Sequence, residues 1–188
     1  MDLTRIIVGI SGASGIIYGV RLLEVLKKLG VETHLVITED AERTLALETD
    51  YDINYVKSLA NRAYDIRDMA ALIASGSFRV EGMAVVPCSM KTLAGIALGY
   101  SENLLLRAAA VCIKEGRKLV LVPRETPLSP ICLENMLKLA QIGVCILPAS
   151  PPFYSRPKNI DDLVNHIVGR VLDIFGIKHQ LYKRWGEV

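Results

Sequence analysis

Residues 5–30 read RIIVGISGASGIIYGVRLLEVLKKLG. A β-branched apolar run over 5–10, without alternation, suits a strand buried on both faces, as in a parallel sheet. Apolar residues then recur at helical spacing, at Ile17, Val20, Leu23 and Leu26. This predicts a helix over 14–29, closed by Gly30 as a left-handed cap. Between the two lies Ser-Gly-Ala-Ser-Gly. One reading is a turn in which strand and helix merely pack closely. The other is a cradle whose backbone N–H groups, at a helix N-terminus, favour an anion such as a phosphate. Gly9, Gly12 and Gly15 are spaced GxxGxxG, so the dinucleotide fingerprint GxGxxG is not met. Ser11 and Ser14 offer hydroxyl donors to the second reading.

The rest of the chain repeats this order. Strands are expected over 32–38, 83–87, 118–122 and 144–148. Helices are expected over 41–48, 89–98, 104–114, 132–141 and 160–175. Residues 50–82 are the least regular, with short helical pieces at 56–59 and 69–73. Strand–helix alternation predicts an α/β fold with a parallel sheet covered on both faces. No composition break or repeat divides the 188 residues, so one domain over 1–188 is expected, with a tail from about 177.

Composition excludes several classes. Apolar residues make up 51%, too many for a disordered chain, and no apolar run is long enough to span a bilayer. Met1 is followed by an acid and no leader pattern is visible, which leads to the expectation of a cytoplasmic protein. The net charge of +2, with scattered basic residues, gives no nucleic-acid signal. The four cysteines form no CxxC pair, and the three histidines have no ligand spacing, so no metal site is expected. A mean hydropathy of +0.33 suggests apolar surface covered by subunit contacts.

In open parallel sheets ligands sit outside the carboxyl ends of the strands. Four unusual stretches follow strands and should meet there. The first is the SGASG loop, with Thr38 after the second strand. The second is PCSMKT, residues 87–92, where Ser89 can cap a helix. Lys91 in that helix's first turn is a cation at the wrong end of the dipole, which a bound anion would relieve. Without a ligand it is a capped helix with an exposed lysine. The third is RETPLS, residues 124–129. Arg124 can fork a phosphate and Glu125 can serve as acid or base if burial raises its pKa; the plain alternative is a surface salt bridge. The fourth is PPFYSRP, residues 151–157, an aromatic wall or simply a rigid loop. Asp161-Asp162 reads as the acidic first turn of the last helix.

Together GISGASG, PCSMKTLAGIA, LVPRETPLS and the ILP…FYSRP segment resemble the flavin prenyltransferase (UbiX-type) family along nearly the whole chain. The resemblance implies a Rossmann-like or flavodoxin-like three-layer fold in dodecamers, with active sites at subunit interfaces. It implies FMN as cofactor and prenyl acceptor, and dimethylallyl monophosphate as donor, without a metal. The product, prenylated FMN, would pass to a UbiD-type decarboxylase. Carried over by motif, Gly12, Ala13, Ser14, Thr38, Ser89, Met90, Lys91, Thr92 and Arg124 would bind the flavin. Tyr154, Arg170, Arg107, Lys114, Ser75 and Trp185 would face the prenyl phosphate. Glu125, Ser14, Glu48 and Lys114 would take part in the chemistry. Two other readings stay open: an FMN-dependent decarboxylase of an aromatic or cysteinyl acid, and a flavin carrier without chemistry. Related cysteinyl decarboxylases use a PxSxNT-type loop where this chain has PCSMKT, which favours the transferase.

Overall fold

The computed structural model describes residues 4–186. Its centre is a six-stranded parallel sheet of β1 (Arg5–Ile10), β2 (Glu32–Ile37), β3 (Arg62–Tyr64), β4 (Gly82–Cys88), β5 (Lys118–Pro123) and β6 (Cys145–Ile146). The spatial order is β3-β2-β1-β4-β5-β6. That is the doubly wound Rossmann order; without the three-residue edge strand β3 the same sheet reads as flavodoxin-like. All five strand pairs run parallel. β4 is buried along its whole length, as an apolar run without alternation requires.

The helices are α1 (Ile16–Lys28), α2 (Glu39–Glu48), α3 (Ile53–Ser58), α4 (Met90–Leu98), α5 (Leu104–Lys114), α6 (Pro130–Gln141) and α7 (Ile160–Phe175). Two cores form, one on each face of the sheet. Side chains of α1, α2, α3 and α7 pack against Ile6, Val8, Ile10 and Ala84 on one face. Side chains of α4, α5 and α6 pack against Ile7, Met83, Val85 and Leu121 on the other. Period-2 alternation sends neighbouring strand residues to opposite layers.

Most expected elements are present, and the differences have local causes. Helix α1 begins at Ile16 rather than residue 14, because Gly15 is left-handed at φ 97° and stands outside the helix. Helix α2 begins earlier, at Glu39, because the Thr38 hydroxyl accepts the Ala41 N–H. Helix α6 starts at Pro130, capped by Ser129; a proline at the first helical turn gives up no needed donor. The irregular 50–82 stretch holds α3, a 3₁₀ turn over Leu72–Ala74, and the unforeseen strand β3. β3 is short and exposed at two of its three residues, so it carries little apolar signal. The expected last strand contracts to Cys145–Ile146.

His34, on β2, is explained by packing at the end of the sheet remote from the loops. It is 3% exposed, and its ring nitrogens meet the Tyr64 hydroxyl at 2.7 Å and Glu32 at 2.8 Å. Burial lowers its pKa against the pull of Glu32. Glu32 also pairs with Arg5, its register partner on β1, at 2.8 Å.

Candidate functional site

The order in which strands are added reverses between β1 and β4, and the loops after these two strands are tied together by one hydroxyl. Ser11 is fully buried. Its Oγ accepts the Ser89 N–H at 2.8 Å and donates to the Pro87 carbonyl at 3.2 Å. Ser11 therefore braces the loops and is no ligand donor, contrary to the sequence expectation. Neighbouring rim segments are stitched likewise: Thr38 N–H to the Ile10 carbonyl at 3.0 Å, and Ala149 N–H to the Pro123 carbonyl at 3.0 Å. The four stretches do converge on one rim.

The anions expected at two places on this rim are supplied by α2. The Glu48 carboxylate accepts the Gly15 and Ile16 N–H groups at 2.8 and 3.1 Å, so a side chain caps the free N-terminus of α1. At the other end of α2, Asp40 pairs with Lys91 at 2.5 Å, and that contact pulls its carboxyl below the usual range. Asp40 also crowds the loop: a Cβ on Gly12 would stand 2.5 Å from the Asp40 Cβ. Asp40 carried no sequence signal, because its role comes from a contact across 51 positions to Lys91.

Ser14 is exposed beside Gly12 and Ala13. Ser89 caps α4, its hydroxyl accepting the Thr92 N–H at 3.2 Å, and Met90, Lys91 and Thr92 form the first turn. A cleft of about 540 Å³ is lined by Thr38, Asp40, Arg67, Lys91, Thr92 and Asn103. After β5, the Arg124 Nε is buried with no hydrogen-bond partner among the described residues. Arg124 makes no ion pair with Glu125, whose carboxylate instead accepts the Thr126 N–H at 2.9 Å. An unpartnered buried guanidinium nitrogen beside loops of small residues and capping hydroxyls fits a phosphorylated flavin such as FMN.

The remaining candidates fall into two groups on opposite faces of the sheet. Tyr154, Arg170 and Trp185 lie on the α7 side. Tyr154 meets Trp185 edge-on at 5.0 Å and His166 of α7 at 6.0 Å. Ser75, Arg107 and Lys114 lie on the α5 side. Arg107 Nε donates to the Ala74 carbonyl at 3.1 Å, and Lys114 pairs with Glu115 at 2.7 Å beside Gly76. Lys114 ends the helix that feeds the start of β5, whereas Arg124 follows its end. A six-residue strand separates those two rims by about 17–20 Å. The sheet itself lies between the two groups.

Comparison with known proteins resolves the fold family. The model of the flavoprotein family matches residues 1–172. Flavin prenyltransferase PAD1, mitochondrial, of Saccharomyces cerevisiae is 55% identical over 181 residues, 96% of this chain and 75% of that one. This chain belongs to the flavoprotein family, among the UbiX-like flavin prenyltransferases. Two solved structures share the UbiX-like fold throughout. A dodecameric FMN-dependent UbiX-like decarboxylase from Escherichia coli O157:H7 is 54% identical, with a TM-score of 0.95 over 97% of this chain and 99% of that one. AnUbiX (PadA1), in complex with FMN and dimethylallyl pyrophosphate, is 48% identical, with a TM-score of 0.96 over 98% of both chains.

Among the described residues no helix is long and apolar enough to cross a membrane, and no cluster of ligating side chains could hold a metal.

Proposed function

We infer that this flavin prenyltransferase transfers a dimethylallyl unit from dimethylallyl monophosphate to N5 and C6 of reduced FMN, giving prenylated FMN. The observation that carries the reading is the rim at the β1–β4 switch point, where the loops bearing Gly12, Ala13, Ser14, Thr38, Ser89 to Thr92 and Arg124, its Nε unpartnered among the described residues, come together. Bound there, the reduced flavin supplies the nucleophile, which accounts for a site built without a serine or cysteine nucleophile. Arg124 anchors the flavin through its guanidinium, whose Nε is buried without a partner among the described residues. Tyr154 and Trp185 give an apolar, π-rich wall suited to a small prenyl group and to positive charge developing on it. Arg170, Arg107 and Lys114 supply cations for the departing phosphate. Glu125, at the mouth of the Arg124 loop, moves the proton that accompanies ring closure and phosphate loss.

The separation of the two donor-side groups gives the oligomer a role. A complete site takes Tyr154, Arg170 and Trp185 from one copy and Ser75, Arg107 and Lys114 from another. The exposed apolar face of α6, with Ile131, Leu133 and Leu137 between 51% and 70% exposed, suits such contacts and a dodecameric assembly. A cytoplasmic location and delivery of the product to a UbiD-type decarboxylase complete the reading and rest on family resemblance.

The test is mass spectrometry of the flavin after anaerobic incubation with reduced FMN and dimethylallyl monophosphate. Flavin heavier by one C5 unit, with phosphate released, is the expected result. Unaltered FMN in a protein that binds it tightly would transfer the weight to a flavin carrier or a decarboxylase.

A further inference from the structure

Helix α7 presents His166, Gly169, Arg170 and Asp173 along one side, at the spacing that stacks side chains over successive turns. The chain after α7 folds back onto this side. A Cβ on Gly169 would stand 2.6 Å from the Tyr182 ring and 2.8 Å from His179, so the bare glycine is the seat on which the returning segment rests. The Tyr182 ring then lies 4.2 Å from the His166 ring.

One carboxylate gathers this arrangement. Asp173 accepts from His179 Nε2 at 3.1 Å, from Arg184 at 2.7 Å, and from the Tyr182 hydroxyl in a short hydrogen bond. The same carboxylate accepts from Arg170 Nη1 at 3.2 Å. Partial burial alone would raise its pKa, but the bonds from Arg184, Tyr182 and His179 outweigh burial and hold it at about 2. Hydrogen bonding to Tyr182, ahead of its opposing desolvation, leaves the Arg170 guanidinium even harder to deprotonate. The residue after Arg184 is Trp185, whose ring meets Tyr154.

We propose that Asp173 is a positioning residue for prenyl transfer, clasping residues 179–184 to α7 while orienting Arg170, so that one carboxylate sets both the donor-side cation and the tail aromatic Trp185. The proposal rests on the reading of Arg170, Tyr154 and Trp185 as the donor side of the site. Asp173 touches neither reactant in this reading; it acts through its neighbours. A network with four donors on one partly buried carboxylate has a defined geometry that a lone surface pair lacks.

Trp185 is the chain's single tryptophan, so its fluorescence reports the tail directly. The FMN-loaded full chain is compared with Asp173→Asn, Tyr182→Phe, Gly169→Val and Arg170→Ala. Asp173→Asn keeps the shape and removes the charge. Trp185 is already 80% exposed, so the clasp is read in its mobility: the expected result is a lower fluorescence anisotropy of Trp185, and a KM for dimethylallyl monophosphate raised about tenfold, the scale of a lost charge-assisted bond. The expected kcat and FMN affinity stay within about twofold of wild type. Gly169→Val should loosen Trp185 while leaving the Arg170–Asp173 pair, so its KM effect is the smaller one. Tyr182→Phe, which folds with an unchanged ring, should reproduce part of the anisotropy loss at Trp185. Unchanged Trp185 anisotropy and unchanged KM in Asp173→Asn, with KM raised in Arg170→Ala, would overturn the proposal and keep the donor-side reading. Unchanged KM in Arg170→Ala would sink the donor-side reading instead, and Asp173 would then stand or fall on the Trp185 signal alone.

Discussion

The Ser11 hydroxyl accepts the Ser89 N–H at 2.8 Å, across 78 positions of sequence. This bond joins the loop after β1 to the loop after β4, the two strands that flank the switch point. Ser11 is fully buried, so removing its hydroxyl leaves the Ser89 N–H without its partner, while the Pro87 carbonyl still accepts the Ser11 N–H. Ser11→Ala is expected to destabilise the protein by about 2 kcal/mol and to weaken FMN binding with it. Denaturant titration and flavin retention check both. Wild-type values for the two would show that the loops are held by something else.

The helix dipole and free N–H groups at the start of α1 pointed to a bound phosphate; in the structure Glu48 of the same chain accepts those N–H groups. Lys91 likewise called for an anion, and Asp40 provides it. Local rules report what a helix end needs; they cannot say who supplies it, because that depends on where α2 crosses the rim. Strands and helices were legible because their periods are local. β3 was hidden because an exposed three-residue edge strand has no period to show. The Asp173 network was hidden because its partners are polar residues in a tail without periodicity, brought together only when the chain turns back at Gly176.

Two substitutions at the first loop separate packing from capping. Gly12→Ala would put a methyl 2.5 Å from the Asp40 Cβ and 3.0 Å from its backbone, forcing α2 and the loop apart. Glu48→Ala leaves Gly15 and Ile16 uncapped, a loss of about 1 kcal/mol by analogy with N-cap deletions. The expected outcome is a larger loss of FMN affinity in Gly12→Ala than in Glu48→Ala, measured by flavin fluorescence titration. The reverse order would mean that the Glu48 contact, not the Gly12–Asp40 approach, shapes the cradle.

Glu125 is exposed at the rim, held by its bond to the Thr126 N–H. Glu125→Gln keeps that acceptor and removes the exchangeable proton. FMN affinity is expected to be unchanged, and turnover to fall by about 10²–10⁴, the range for loss of a general acid–base group. Single-turnover measurement of phosphate release checks this; turnover at the wild-type rate would remove Glu125 from the chemistry.

Arg107→Ala and Tyr154→Ala disable groups on opposite faces of the sheet. If sites form between copies, each variant alone is expected to be nearly inactive. Mixing the two, after dissociation and reassembly at equal amounts, should restore roughly one site in four, since a site built from the intact half of each arises with that frequency. No recovery in mixed assemblies of native size would place both groups in the site of a single chain.

The Asp173 clasp makes a pH prediction with a definite sign. The carboxyl sits at about 2 in the folded chain against an ordinary value of 3.8. In the window between them the unfolded chain binds more protons, so stability rises with pH there. The contribution is complete above about pH 4–5 and is lost as pH falls through about 2; a depression of this size corresponds to roughly 2 kcal/mol. The stability difference between wild type and Asp173→Asn should therefore be flat from pH 8 to pH 5 and shrink below pH 4. Denaturant titrations of both proteins across that range measure it. A difference that instead changed between pH 5 and pH 8 would show that the charge state of the carboxylate does not set the clasp.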